Sequence, residues 1–395
     1  MGKKILWVEP VRLDIDLYKS SVLEILNHLA KRGHSVSLIA MRSKNRFRTE
    51  TSVHVISIPI KDVPAVSQVL FSLLLFFLLP FYIIVLRPDF IIATPNASIV
   101  GIIPGLFISK LKRIKIILDI RSTPVEIWGF RKYMQKFWFS ISVLLAEKFF
   151  SGITIITPLM REEVCNNFSI NEGKIGVWAV GVNETLFNPE KYVTESVELR
   201  TRLGLLGKFV VLYHVVFSST RGLAETAKAI KILKPNHPNV VFFLLGTGST
   251  VGVLRALIHE EGLQDNVIIH EPVDQIEVPR FISMCDVGIV PLPYGPNWRY
   301  QCPLKLLEYL AMEKVVIATD ILAHRLILDE AKCVIYIPSI KPEEIAKSIE
   351  YAYLEKEKLV EWGKFGRPII KRKYTWKTAA EDLEKYLISI GTELQ

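Results

Sequence analysis

The 395-residue sequence is short of the features that most compact catalytic frameworks depend on. Its four cysteines, Cys165, Cys285, Cys302 and Cys333, form no CxxC pair and no metal-ligand spacing. That excludes a disulfide scaffold and a zinc site, and points to a reducing, cytoplasmic setting. There is no G-x-S-x-G, Walker A or H-E-x-x-H sequence, so a hydrolase elbow, a P-loop and a zinc-peptidase helix all lack support. The N-terminus has no long apolar signal core, and Leu6 stands where N-myristoylation needs Ser or Thr. Residues 63–86 contain no charged side chain at all.

What is present is abundant apolar surface and an uneven charge. Half the residues are hydrophobic and the mean hydropathy is +0.30. The length suits two domains rather than one core. Residues 1–190 carry 23 Lys and Arg against 15 Asp and Glu, and the remainder 26 against 25, so the excess of +9 sits almost wholly in the first half. A basic half attracts anionic lipid, phosphorylated substrate or nucleic acid. Nucleic acid has only this charge in its favour and is set aside.

Apolar strand-like runs alternate with helical stretches in both halves. Runs 4–8, 35–40, 53–59, 90–93 and 115–119 read as strands, with a helix over 18–32 that Gly33 ends. The second half repeats this pattern. Strands are expected at 209–213, 240–245, 267–270, 287–290 and 315–319, and helices at 222–233, 251–261, 278–284 and 303–312. Such alternation implies βαβ units and parallel sheets, hence an α/β chain of two doubly wound, Rossmann-like domains. The join is expected near 181–191, where Gly, Asn and Pro cluster. Ligands of this architecture bind at the carboxyl ends of the strands, in a cleft that the two domains would face.

The run 63–86 breaks this grammar. It is long enough to span a bilayer, yet the strands before and after it should share one sheet, which an odd number of crossings forbids. Pro80 is a point at which it would divide into two helices. Two readings remain: a monotopic insertion into one leaflet, or a helix buried in the first core. Residues 97–109, the basic run Lys110, Lys112, Arg113 and Lys115, and Arg131, Lys132 and Lys136 among Tyr133, Phe137 and Trp138 suit the same headgroup surface, or a solvated basic face.

Residues 302–320 are the most informative. Pro303 suits a first helical turn, and the free amides there with the positive end of the dipole make a seat for a diphosphate. Lys305 and Glu308 share a face, placing Glu308 one turn below that seat, where a carboxylate accepts hydrogen bonds from a ribose diol. The competing reading is a surface ion pair worth about 0.3–0.5 kcal/mol. Asp14 and Asp16 have the D-x-D spacing of metal-dependent transferases, but in the first half.

Residues 302–317 resemble the S-P-x-K-x-x-E-Y-x-A signature of retaining glycosyltransferases of the GT-B fold, the glycosyltransferase family 4 and group 1 enzymes. Similar matches run in order along the chain: 29–36 to "LA-x-x-GH-x-V", 119–124 to "DVRDLWP", 181–189 to "GVD-x-x-x-F-x-P", Arg221-Gly222 to the "KG" or "RG" step, 245–248 to "x-G-x-G", 286–292 to "aDvgivPl" and Tyr374-Thr-Trp376 to "fsW". The resemblance implies an acceptor-side domain over 1–185, a donor-binding domain over 186–370, and a C-terminal helix over 371–395 that crosses back onto the first. It implies that Glu308 holds the nucleotide ribose, that the amides near Pro303, Leu304 and Lys305 hold the diphosphate, and that Arg221 stabilises the departing nucleoside diphosphate. It further implies a sugar contact at Arg121, neutralisation of phosphate or tethering of Glu308 by Lys305, and close approach of the backbone to the nucleotide at Gly246 and Gly248.

Several positions depart from the pattern. Tyr300 stands where the family's first glutamate contacts the transferred sugar. The N-terminal Gly-Gly loop is replaced by 9–16, the Gly-Arg pair by Val215-Val216, the capping serine by Cys302, and a glycine by Glu313. The resulting expectation is a retaining, metal-independent glycosyltransferase with no cofactor beyond its NDP-sugar donor. It would act at the inner face of the cell membrane on a lipid-linked or polysaccharide acceptor. The alternatives are a nucleotide-sugar 2-epimerase of the same fold and a non-catalytic membrane-surface scaffold.

Overall fold

A computed structural model describes residues 2–13, 16, 19–41, 52–60, 66–124, 129–328 and 331–392. The chain divides into two compact units, Met1–Val180 with Trp376–Gln395, and Gly181–Thr375.

In chain order the first unit contains β1 (Lys4–Arg12), α1 (Lys19–Lys31), β2 (Ser35–Met41), β3 (His54–Ile58), α2 (Val66–Leu86), β4 (Phe90–Ala93), α3 (Ile99–Lys112), β5 (Lys115–Ile120), α4 (Gly129–Phe149), β6 (Gly152–Ile155), α5 (Pro158–Phe168) and β7 (Ile175–Val177). The strands form one parallel sheet in the order β3-β2-β1-β4-β5-β6-β7. Central strands are covered on both faces, so Ile5 to Val8 and Ile91 to Ala93 are buried continuously rather than alternately. β1 runs on to Arg12, past the expected end at residue 8, after a register shift between Val8 and Arg12. The sheet does place the strands on either side of α2 together: β3 and β4 lie on opposite sides of the β2–β1 pair.

Pro80 does not divide the apolar segment. α2 is a single helix with Pro80 inside it. The ladder bond lost at Pro80 is offset by packing against α3, where Gly101 and Gly105 let the two helices close. A Cβ on Gly101 would lie 2.8 Å from the Ser72 carbonyl oxygen. Ser67, Phe71, Leu75, Leu79 and Ile83 form the buried stripe of α2, spaced four residues apart.

The second unit contains α6 (Val193–Arg202), β8 (Phe209–His214), α7 (Leu223–Leu233), β9 (Val240–Leu245), α8 (Val251–Glu260), β10 (Val267–His270), α9 (Val278–Met284), β11 (Val287–Val290), α10 (Pro296–Arg299), α11 (Leu304–Ala311), β12 (Val315–Thr319), α12 (Leu322–Leu328), β13 (Val334–Ile337), α13 (Pro342–Leu354), α14 (Leu359–Gly363) and α15 (Gly366–Lys373). Its parallel sheet has the order β10-β9-β8-β11-β12-β13. Crossovers run outward in both directions from β8 and β11, so the topological switch point lies between their carboxyl ends. Glu313, in a glycine position of the resembled signature, adopts φ +56. That left-handed conformation costs a β-carbon-bearing residue roughly 1–2 kcal/mol.

The last helix, α16 (Trp376–Thr392), packs in the first unit. Glu384 bonds Arg32 and, at 2.8 Å, His34 Nε2, while the His34 Nδ1 accepts the Lys3 amide at 3.1 Å. The Tyr386 ring lies over Gly176, where a Cβ would come within 2.3 Å of it, and its hydroxyl donates to the Lys174 carbonyl.

Candidate active site

Three loops of the second unit meet at the carboxyl ends of its central strands. The loop after β8 presses on the loop after β9: the Phe217 amide donates to the Thr247 carbonyl at 2.8 Å. Gly246, at φ +146, and Gly248 make this possible, since a Cβ on either would lie 2.1 Å from the carbonyl oxygen of Val215 or Phe217 respectively. What these two glycines admit is therefore the neighbouring backbone. Gly222, at φ +68, brings the same β8 loop against the loop after β11, with a Cβ position 2.2 Å from the Pro291 carbonyl oxygen.

Arg221 is held at this junction. Its guanidinium lies 4.2 Å over the Trp298 ring, and its Nε is buried with no hydrogen-bond partner. A cation pinned against an indole with one donor unspent is suited to an anion that arrives from outside. Trp298 belongs to α10, which the sequence patterning did not single out, and Tyr300 follows as the residue capping that helix.

α11 begins at Leu304. Pro303 is not in its first turn but caps it, with an extended backbone at φ −76, ψ 117. The ladder opens with the Leu306 amide on the Pro303 carbonyl at 3.0 Å, so the amides of Leu304 and Lys305 precede any internal partner. Lys305 is half-buried, and burial lowers its pKa, opposed by the charge of Glu308 and reinforced by that of Arg221.

Glu308 pairs with His214 rather than Lys305. The imidazole Nε2 lies 2.6 Å from Oε2, and Nδ1 lies 2.9 Å from the Tyr309 hydroxyl. Tyr309 is fully buried, its ring over Gly288, and its hydroxyl donates to the Leu212 carbonyl at 2.9 Å. Burial alone would raise the Glu308 pKa. The hydrogen bond and charge of His214, with the charge of Lys305, outweigh it and bring the pKa below the ordinary value. Among the described residues Oε1 has no protein partner. The structure thus brings together Arg221, Pro303, Leu304, Lys305 and Glu308, and adds His214, Tyr309 and Trp298.

Arg121 lies in the first unit, at the end of β5. Its Nε donates to Asp119 at 2.7 Å, Glu9 is 4.0 Å from Nη2, and the guanidinium stacks between Trp7 and Trp178. Asp119, fully buried, also accepts from Thr154 and the Trp178 indole. Burial raises the Glu9 pKa, against the charge of Arg121. Glu9, Trp7 and Trp178 escaped the sequence patterning because apolar strand runs conceal them.

Asp14 lies outside the described residues, and Asp16 accepts the Arg12 amide at 2.6 Å. Among the described residues no three His, Cys, Asp or Glu side chains group as a metal site.

Residues 19–186 match the family model described as Glycosyltransferase Family 4, and residues 198–368 the one described as Glycosyl transferases group 1. The chain is similar to the alpha-D-kanosaminyltransferase of Streptomyces kanamyceticus, 24% identical over 194 residues, which are 49% of either chain. It spans about half the length of the curated relatives it matches. Among solved structures, sucrose-phosphate synthase of Thermosynechococcus elongatus superposes with a TM-score of 0.80 at 15% identity, covering 98% of this chain and 99% of that one. Anabaena HepE in complex with UDP-glucose gives 0.76 at 16% identity, covering 98% and 100%. At these identities the structures establish a shared fold.

Proposed function

Because this chain belongs to the glycosyltransferases of family 4 and group 1, we propose that it transfers a sugar from a nucleoside-diphosphate sugar to an acceptor with retention of anomeric configuration. The observation carrying this reading is the arrangement at the switch point of the second sheet. An unpartnered Arg221 donor, the open amides of α11 and a carboxylate with one free oxygen, Glu308, match a diphosphate followed by a ribose diol. The sugar-bearing complex of HepE is consistent with a UDP-type donor.

In this reading the bond between the anomeric carbon and the β-phosphate oxygen breaks with its electron pair passing to the diphosphate. The acceptor hydroxyl oxygen bonds the same face of that carbon, and its proton passes to the departing phosphate. Arg221 and Lys305 neutralise the charge that develops there, which removes the need for a metal. Tyr300 is the proposed sugar contact of the second unit. The acceptor is lipid-linked or a polysaccharide, and the first unit attaches to the inner face of the cell membrane through α2 without crossing it. One sheet on both sides of α2, and its stripe packed on α3, support attachment over a span.

The test is to incubate the protein with UDP-, GDP-, ADP- and dTDP-sugars and a membrane lipid extract in EDTA, following the anomeric proton of the product by NMR. Release of nucleoside diphosphate and a product of the donor's configuration is expected. Inversion, or loss of transfer restored by Mn²⁺, would overturn the mechanism. Arg221→Ala is expected to lower kcat by about 10–100-fold, more than it weakens donor binding, because its charge matters most as the diphosphate leaves. Weakened binding with kcat intact would count against that role.

A further inference from the structure

Arg32, Arg121, Arg200 and Arg280 are each anchored by carboxylates: Glu381 and Glu384, Asp119, Asp286, and Glu195 with Glu277 respectively. Among the described residues no carboxylate pairs with Arg221. Its guanidinium lies 4.2 Å over the Trp298 ring, and the Tyr213 hydroxyl accepts from it. Neither neighbour carries a negative charge, since burial raises the Tyr213 pKa to about 12 against the charge and hydrogen bond of Arg221.

The local backbone delivers the indole. Arg221 sits in a turn, its amide on the Ser218 carbonyl at 3.3 Å. Gly222 beside it admits the Pro291 carbonyl, which ties the loop after β11 to that turn. α10 follows in the same loop, and Trp298 within it is buried, its amide on the Gly295 carbonyl at 3.3 Å.

We propose that Trp298 is the positioning residue of Arg221: the indole face fixes the guanidinium without neutralising it, so that its full charge meets the diphosphate of a bound ligand. The role rests on Arg221 being the donor-phosphate cation.

This cation needs fixing. Lys305 is near enough for the two like charges to repel, and the nearby acid, Glu308, is engaged by His214. A long side chain pushed by a second cation and held by no acid would swing toward water. The indole holds it through the ring quadrupole and through contact over one whole face of the guanidinium. A carboxylate in that place would hold it as firmly, but it would cancel the charge and repel the diphosphate. Arg121 in the first unit shows that other arrangement. It too stacks on indoles, those of Trp7 and Trp178, but Asp119 at 2.7 Å balances its charge.

The experiment is a double-mutant cycle on nucleoside-diphosphate binding. A nucleoside diphosphate carries on its terminal phosphate the charge that the departing group acquires, so it reports Arg221 without an acceptor. Calorimetry with UDP, GDP and ADP selects the one that the wild type binds most tightly. That ligand is then titrated into Trp298→Phe, Trp298→Leu, Arg221→Ala and the Arg221→Ala/Trp298→Leu double variant, below the lowest of their melting temperatures. Trp298→Leu keeps apolar bulk but has no ring face, so ordering the arginine falls on the binding step, an expected loss of about three- to tenfold. Trp298→Phe keeps a face and is expected to stay within about twofold of the wild type. In the Arg221→Ala background the leucine substitution is expected to cost nothing further.

The same loss from Trp298→Leu in both backgrounds overturns the positioning role, because a packing defect does not need Arg221. So does a phenylalanine variant as weak as the leucine one, or a leucine variant as tight as the wild type. If Arg221→Ala alone leaves affinity intact, it is the donor-phosphate reading of Arg221 that falls, and the role of Trp298 with it.

Discussion

Replacing Glu308 by Gln is expected to weaken nucleoside-diphosphate binding by about 10–100-fold and to remove most transfer activity, with little change in folding. A ligand hydrogen bond to a charged group contributes about 1.5–3 kcal/mol, and a ribose diol offers two donors to one carboxylate. The amide keeps the size of the carboxylate but has one acceptor in place of two. Folding should survive because the core face of α11 is Leu306, Leu307, Tyr309 and Leu310, all buried, while the Glu308 side chain keeps 13% of its surface. The pH dependence has a definite sign. The folded pKa of Glu308 is lowered, so its contribution to stability is present above the unfolded carboxylate value and is lost as pH falls through the lowered one. Calorimetric titration with UDP, GDP and ADP, beside a melting curve, checks both halves. Unchanged affinity for the nucleotide that binds the wild type would remove Glu308 from the site.

Replacing Phe77, Phe81 and Phe107 together by Ser is expected to release the protein from anionic vesicles, cutting partitioning by roughly three orders of magnitude. Phe77 is 75% exposed and Phe107 71%, so folding has left these rings unpacked in the first unit. Beside Phe77, Leu74, Phe76 and Leu78 are half-buried. The exposed stripe of α2 runs over Val66, Val69, Leu70, Leu73, Phe77, Phe81, Ile84 and Val85, opposite the stripe that packs on α3. Charge supports a lipid partner: α2, α3 and α4 contain Lys110, Lys112, Arg131, Lys132, Lys136 and Lys148, and Glu147 as their one acidic residue. The first turns of α4 are exposed, with Phe130, Tyr133 and Phe137 beside the cations, a composition suited to a headgroup layer.

Each of those phenylalanines contributes about 1.5–3 kcal/mol when buried, and each cation near an anionic surface about 1 kcal/mol, which salt screens. Co-sedimentation with phosphatidylglycerol–phosphatidylethanolamine vesicles, at low and high salt, measures both. Nucleotide affinity and melting temperature should be unchanged in the triple variant, since the rings are exposed and the donor residues belong to the other unit. Continued sedimentation would place attachment elsewhere. Labelling of Lys4 and Lys110 from opposite sides of a sealed vesicle would make α2 a true span.

How much of this was legible beforehand follows from the range of the interactions. The strands at 90–93, 240–245, 267–270, 287–290 and 315–319 fall where continuous apolar runs placed them, because strands buried on both faces are apolar throughout and turn residues bound them. β6, β7 and β13 were not among the expected strands, and the structure adds them to the two parallel sheets. Lys305 and Glu308 could be paired to one helix face from spacing alone, since helical geometry is local.

The partner of Glu308 could not be read in the same way. His214 is 94 positions away, and only the parallel sheet order, with β8 beside β11 and α11 returning over both, brings imidazole and carboxylate to 2.6 Å. In α2 the sequence determined an uncharged apolar run with a point of division at Pro80; that 66–86 is one helix through the proline was decided by the tertiary structure, where packing on α3 offsets the lost ladder bond. The tertiary structure alone decided which stripe is covered: Gly101 and Gly105 admit Leu75, Leu79 and Ile83, and the opposite stripe is left for another surface because a helix can turn only one side to its neighbour.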